Sequence, residues 1–163
     1  MAVMENNPKR GIERSSLMNV GYRVDYAVRA LSYLAAQPPG RIVPRIEIEK
    51  KQNIPPHYLS KIMKDLVSGG LVKSHLGCRG GFGLARPAET ISIKEVYEVV
   101  ERPLAIMECI EKGPSYCSYI PVCNQLSIWQ RAQTLLANFL SGVSVNDIAD
   151  QKGLRERLGG LHI

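Results

Sequence analysis

The sequence has no run of about 18 apolar residues and no hydrophobic core of a signal peptide near its start. No membrane partner is therefore expected, and the protein is expected to be cytoplasmic. Histidine is scarce: three residues in 163, scattered along the chain. No Ser-His-Asp set or paired carboxylates stand out, so an enzyme is not expected. Gly80-Gly81-Phe82-Gly83 has no following Gly-Lys-Ser/Thr at a strand-to-helix junction, which rules out a phosphate-cradling loop. No internal repeat is found. Cysteine is limited to Cys78, Cys109, Cys117 and Cys123. In a reducing compartment such thiols read as metal or redox ligands rather than structural disulfides.

What is present is basic charge, unevenly spread. The formal net charge is +6, and residues 41–86 hold nine Lys/Arg against three Asp/Glu. A clustered basic face gains counterion-release energy from a line of phosphates, so double-stranded DNA is the expected partner; a solvated basic surface is the plainer alternative. With 45% apolar residues the chain can bury one core and keep an assembly surface.

Residues 1–17 show no apolar period and are expected to form a flexible arm, with Met18 as an alternative start. Val24, Ala27, Val28, Leu31, Leu34 and Ala35 then recur at helical spacing, and Pro38-Pro39-Gly40 closes that helix. Pro44 is expected to open a second helix running to about Gln52, although Ile46-Glu47-Ile48-Glu49 also alternates like a strand. After Ile54-Pro55-Pro56, the residues Tyr58, Leu59, Ile62, Met63, Leu66 and Val67 predict a third helix closed by Gly69-Gly70. Two short helices joined this way frame a helix-turn-helix. Residues 71–76 and 82–85 predict a hairpin around Gly77-Cys78-Arg79-Gly80-Gly81, placed where a wing would be. Residues 91–100 predict a fourth helix, with Ser92 and Glu95 forming a capping box. Residues 109–123 read as loop. From about Gln125 a long helix carries Ile128, Ala132, Leu135, Phe139 and Val143 on one face, which suggests docking against a second subunit. A short helix capped by Ser144 or Asn146 follows, and then a tail over 151–163.

The fold class is therefore mainly α with a small β wing: a winged helix-turn-helix at 18–102, a cysteine segment at 103–124 and a dimerisation helix region at 125–150. The second helix of such a motif lies in the major groove, N-terminal residues first. His57 and Ser60 are expected to hydrogen-bond bases, Tyr58 to pack on the sugar-phosphate wall or form part of the core, and Lys61 and Lys64 to meet phosphates or guanine. Arg79, among glycines at the wing tip, suits a narrow minor groove. Cys109, Cys117 and Cys123, spaced by seven and five residues on one segment, can converge on zinc, copper(I) or an iron-sulfur cluster, or stand as free thiols.

These elements together resemble the Rrf-type winged-helix iron-sulfur regulators. The resemblance covers about residues 18–150. It rests on Tyr26-Ala27-Val28-Arg29-Ala30-Leu31, Ile54-Pro55 with Tyr58-Leu59, Gly70-Leu71-Val72, Gly77-Cys78-Arg79-Gly80-Gly81-Phe82, Leu84-Ala85-Arg86-Pro87 and the cysteine triplet. It implies a homodimer whose long helices cross, with an iron-sulfur cluster of two-iron or four-iron form on Cys109, Cys117 and Cys123. The cysteine spacing is most similar to that of the rhizobial iron regulators within the family. The position of a family histidine ligand is Leu126 here. The position of a family aspartate ligand, supplied across the dimer, is Asp25, which also reads as an ordinary salt-bridged helix residue. Cys78 lies outside the triplet. The function so implied is a transcriptional repressor or dual regulator sensing iron, cluster status, nitric oxide or redox stress. Two rivals are a cluster-free regulator controlled by thiol oxidation or a protein partner, and an electron-transfer or cluster-carrier protein.

Overall fold

The computed structural model describes residues 20–101, 103–150, 153, 154 and 156; the expected N-terminal arm and most of the tail lie outside the described residues. The elements run α1 (Tyr22–Ala35), α2 (Arg45–Gln52), α3 (Pro56–Ser68), β1 (Val72–His75), β2 (Gly81–Leu84), α4 (Ile93–Val100), α5 (Glu108–Lys112), α6 (Leu126–Ser141) and α7 (Val145–Ala149).

α1 buries Val24, Ala27, Ala30, Leu31 and Leu34. It packs against α2, α3, α4 and α7. The helix ends at Ala35, a little before the expected prolines, because Ala36 already serves as its C-cap. In α2 the structure resolves the helix-or-strand ambiguity. A strand would place Ile46 and Ile48 on one face; instead Ile48 is fully buried while Ile46 is 58% exposed. Asn53, in the left-handed region at φ 50°, ends α2 and turns the chain into α3. Pro56 opens α3 at the position where a missing N–H costs nothing. Leu59, Ile62, Met63 and Leu66 face the core.

β1 and β2 pair antiparallel, with Val72 opposite Leu84 and His75 opposite Gly81. Val43 adds a third rung through two 2.9 Å backbone bonds with Phe82. This rung ties the wing to the segment leading into α2. A Cβ on Gly81 would lie 2.3 Å from the Val43 carbonyl oxygen, so only glycine allows the two backbones this close.

α4 begins with half of the expected capping box. Ser92 accepts from the Glu95 amide at 3.2 Å, but the Glu95 carboxylate pairs with Arg86 instead of turning back to the cap. The full capping box forms at α7, where Ser144 and Asp147 satisfy each other reciprocally. Backbone bonds from Ile93 to Val143 and from Val145 to Ile91, both 2.8 Å, zip the α6–α7 junction to the start of α4. One core joins α1 to α4, the wing base and Val145.

The expected loop at 109–123 contains α5 and two 3-10 turns, Gly113–Ser115 and Ile120–Val122. The run Glu108-Cys109-Ile110-Glu111-Lys112 gains a helical turn from the Glu108–Lys112 pair at 3.1 Å. α6 buries no residue. Of the expected docking face, Ile128, Leu135 and Phe139 are exposed and Ala132 is half-buried. Val143 departs from that face: it lies past the end of α6 and is buried within its own chain.

Gly81→Ala is expected to push Val43 off the wing and lower stability by about 1–3 kcal/mol, the usual cost of overpacking. Urea unfolding measures this; a midpoint equal to that of the wild type would mean the Val43 rung is not tight.

Candidate nucleic-acid interface and cysteine segment

α2 and α3 form the helix-turn-helix, and the exposed side of α3 is its polar face. His57, Ser60, Lys61 and Lys64 are all exposed there, at spacings that put them on one side of a helix. The N-terminal end of α3 is held by an aromatic column. His57 lies 4.3 Å from Tyr58, Tyr58 lies 5.7 Å from Tyr26, and Tyr26 stacks at 6.1 Å on Tyr22. Tyr58 thus packs on α1 and still keeps 38% of its surface in solvent. Arg23 reaches from α1 to Asp65 at 2.6 Å and fastens the last turn of α3.

The charge pattern is sharper in space than in sequence. Each acidic residue of 41–86 is taken up by an arginine: Glu47 by Arg41 at 2.9 Å, Glu49 by Arg45 at 3.1 Å and Asp65 by Arg23. Glu47 also accepts from the Tyr33 hydroxyl at 2.7 Å, a bond that holds its carboxyl below the usual range and raises the phenol. Lys61, Lys64, Lys73 and Arg79 make no ion pair among the described residues. The unpaired basic excess therefore sits on α3 and the wing, with Lys50 and Lys51 at the end of α2 adding to it.

The wing tip, residues 76–80, turns through Gly77 at φ +107° and closes with a 2.9 Å bond from the Gly80 amide to the Gly77 carbonyl. Arg79 and Cys78 are exposed there. So is Leu76, at 98% the most exposed of the large apolar residues described. Sequence reasoning passed over Leu76 because it reads as the last residue of an apolar strand. It also passed over Arg45, whose Nη1 donates to the Ser60 hydroxyl at 2.8 Å while that hydroxyl donates to the Pro56 carbonyl at 2.9 Å.

The cysteine segment hangs from α6 by one side chain. The Gln133 amide nitrogen donates to the Leu104 carbonyl at 2.6 Å, and its oxygen accepts from the Ile106 amide at 2.7 Å. Beyond that clamp, Cys109 lies in α5, Cys117 follows the next turn, and Cys123 caps the turn before α6. All three are free and half-buried, whereas Cys78 is free and exposed. Tyr116 donates to Glu108 and lies under Lys112, whose ammonium is 4.6 Å from the ring centre. Glu108 raises the Tyr116 phenol, and the nearby Cys109 and Cys117 push it the same way.

Three soft sulfur donors on one short segment fit an iron-sulfur cluster in chemistry. Within the single chain they do not converge: among the described residues no group of three His, Cys, Asp or Glu is arranged to hold a metal ion. Asp25 is ion-paired with Arg29 at 2.8 Å in the same helix. No described helix is long and apolar enough to cross a membrane.

Comparison with known proteins places this geometry in a family. A profile of the Rrf2 family, described as iron-dependent transcriptional regulators, matches residues 20–151. The chain is similar to protein aau3 of Rhizobium meliloti, 33% identical over 80% of this chain and 84% of that one. It is also similar to the HTH-type transcriptional regulator NsrR of Halalkalibacterium halodurans, 30% identical over 76% and 85% of the two chains. In fold it matches CymR, the global cysteine regulator of B. subtilis, with a TM-score of 0.68 and 22% identity over 82% of this chain and 98% of that one. A winged helix-turn-helix with a solvent-facing basic recognition face, matched over most of its length, makes this chain a DNA-binding transcriptional regulator of the Rrf2 family.

Proposed function

We propose that this protein is a homodimeric transcriptional repressor that senses iron, cluster status, nitric oxide or redox stress through an iron-sulfur cluster on Cys109, Cys117 and Cys123. Asp25 of the partner subunit is the proposed fourth ligand, taking the cluster in place of its Arg29 pairing. The observation that carries this reading is the set of three free, half-buried thiols on a segment clamped by Gln133 to an otherwise unburied helix. When bound, the cluster would supply iron that is redox-active and open to reaction with small oxidants. The protein's part is to hold the segment and transmit its position. Because Gln133 fixes residues 104–106 to α6, a shift of the cysteine segment pulls on the helix proposed to join the subunits. Two half-sites must be met at a fixed spacing, so a small rotation between subunits removes several DNA contacts at once.

The proposed dimer uses Ile128, Leu135 and Phe139, which α6 leaves in solvent. Covering them gives roughly 1.5–3 kcal/mol for each side chain fully buried. On DNA, His57, Tyr58, Lys61 and Lys64 are proposed to address the major groove directly, Ser60 to act on that face through its hydrogen bonds, and Arg79 to address the minor groove, with 18–102, 103–124 and 125–150 serving as reading, sensing and joining segments.

A second reading is favoured by the separation of the thiols in the single chain. In it the same fold is a cluster-free regulator that responds to thiol oxidation.

Anaerobic purification with a visible spectrum and iron and sulfide assay separates the two. A brown protein whose colour, iron and sulfide vanish in Cys117→Ala, with helical content retained, is the expected result; a colourless protein that resists reconstitution would leave the thiol reading. Leu135→Glu is expected to give a monomer in sedimentation with an unchanged circular dichroism spectrum, because α6 adds nothing to the core. A Leu135→Glu protein that stays dimeric would move the interface elsewhere. Lys61→Ala is expected to weaken binding to all duplexes and reduce the salt slope by about one. Arg79→Ala should instead lose most on sites with a narrow minor groove. Identical behaviour of these two variants would argue against separate groove roles.

A further inference from the structure

We propose that Arg45, the first residue of α2, reads a base edge in the major groove, and that Ser60 and Glu49 are its positioning residues. This deepens the DNA-binding reading above and rests on it.

Arg45 comes from outside the recognition helix but delivers its guanidinium onto that helix's exposed face. Its Nη1 donates to Ser60 at 2.8 Å. Ser60 shares its face with His57 and Lys64, three and four residues away, and has Lys61 next to it. A cation placed at Ser60 is therefore in the middle of the surface that meets DNA.

The guanidinium is held on both sides. Its Nε lies 3.1 Å from Glu49 Oε1, on a side chain only 12% exposed. That oxygen is buried and accepts no hydrogen bond. Arg45 is thus the counter-charge of a desolvated carboxylate, and swinging it away would leave that carboxylate unpaired. Ser60 fixes the other edge.

The same bonds decide which of the two residues can contact DNA. The single hydroxyl proton of Ser60 is directed to the Pro56 carbonyl at 2.9 Å, and its oxygen already accepts from Arg45. Ser60 has no proton left for a phosphate or for the acceptors of guanine. Arg45 has both Nη2 protons without a hydrogen-bond partner among the described residues, on a side chain half exposed. A planar fork fixed in advance loses little side-chain freedom on binding and matches guanine O6 and N7.

The test uses the full chain, a duplex enriched by the wild type from a random library, and a scrambled duplex of equal length. Arg45→Ala is expected to lose about tenfold in affinity on the enriched duplex and little on the scrambled one. Arg45→Lys, which keeps the charge but not the fork, should lose nearly as much. Ser60→Ala should weaken binding in the wild-type background and change nothing when Arg45 is already alanine. Unchanged binding by Arg45→Ala overturns the proposal. An equal loss on both duplexes also overturns it, since that marks a phosphate contact, and so does a Ser60→Ala loss that persists without Arg45. If the wild type enriches no sequence, the DNA-binding reading itself fails; if it does and Arg45→Ala binds normally, only this inference fails. Circular dichroism and melting of each variant check the fold.

Discussion

The close packing of α1 is the constraint on which the rest of the molecule depends. Ala27 and Ala30 have no exposed surface, and their small size lets neighbouring helices approach α1 from several sides. α3 is among them, so the recognition helix is aimed by a rigid buried element rather than by a loop. The polar side of the same helix adds Arg23 on Asp65 and Tyr26 on Tyr58. Surface ion pairs of this kind contribute little to stability; their effect is to fix the rotation of α3 about its axis, which decides which residues face out.

Electrostatic specificity follows from that geometry. A chain with excess positive charge could spread it uniformly and bind polyanions weakly everywhere. Here the arginines of the first two helices and their connection are bound to the neighbouring acids, and the lysines of α3 and the wing are left without ion pairs. With Lys50 and Lys51 at the end of α2, they give an approaching duplex a positive field on the side of the proposed groove contacts. The wing belongs to the same surface because the Val43–Phe82 rung anchors it to the residues that precede α2.

The C-terminal half is organised differently. α6 buries no residue: it packs against α4, its Gln133 amide holds residues 104–106, and the junction that follows it is tied by backbone bonds between 91–93 and 143–145. An element so loosely buried shifts more easily than one inside the core. That property is what the proposed coupling between the cysteine segment and the DNA-binding half would require.

The order of the other elements was legible in the sequence because each rests on a local cause: apolar period, a proline at a helix start, or glycines at a tip; α5 and the turns of the cysteine segment, which have no such signal, were read as loop. The exposed residues of α3 followed from its helical period, and the exposed stripe of α6 from spacings of three and four. Tertiary structure decided what depends on residues distant along the chain. Arg45 meets Ser60 only because the turn at Asn53 folds the chain back so that the start of α2 comes within side-chain reach of α3. Glu95 left its cap because Arg86 offered a charged partner, and Val143 turned inward because the α6–α7 junction is zipped to α4. Whether three thiols share a metal is likewise a matter of distance, which spacing alone does not determine. The sequence by itself determined the long helices, the wing and the chemistry of the donors; the fold decided the state of 45–52 and 108–122 and which charges are spent internally, because pairing depends on proximity in space.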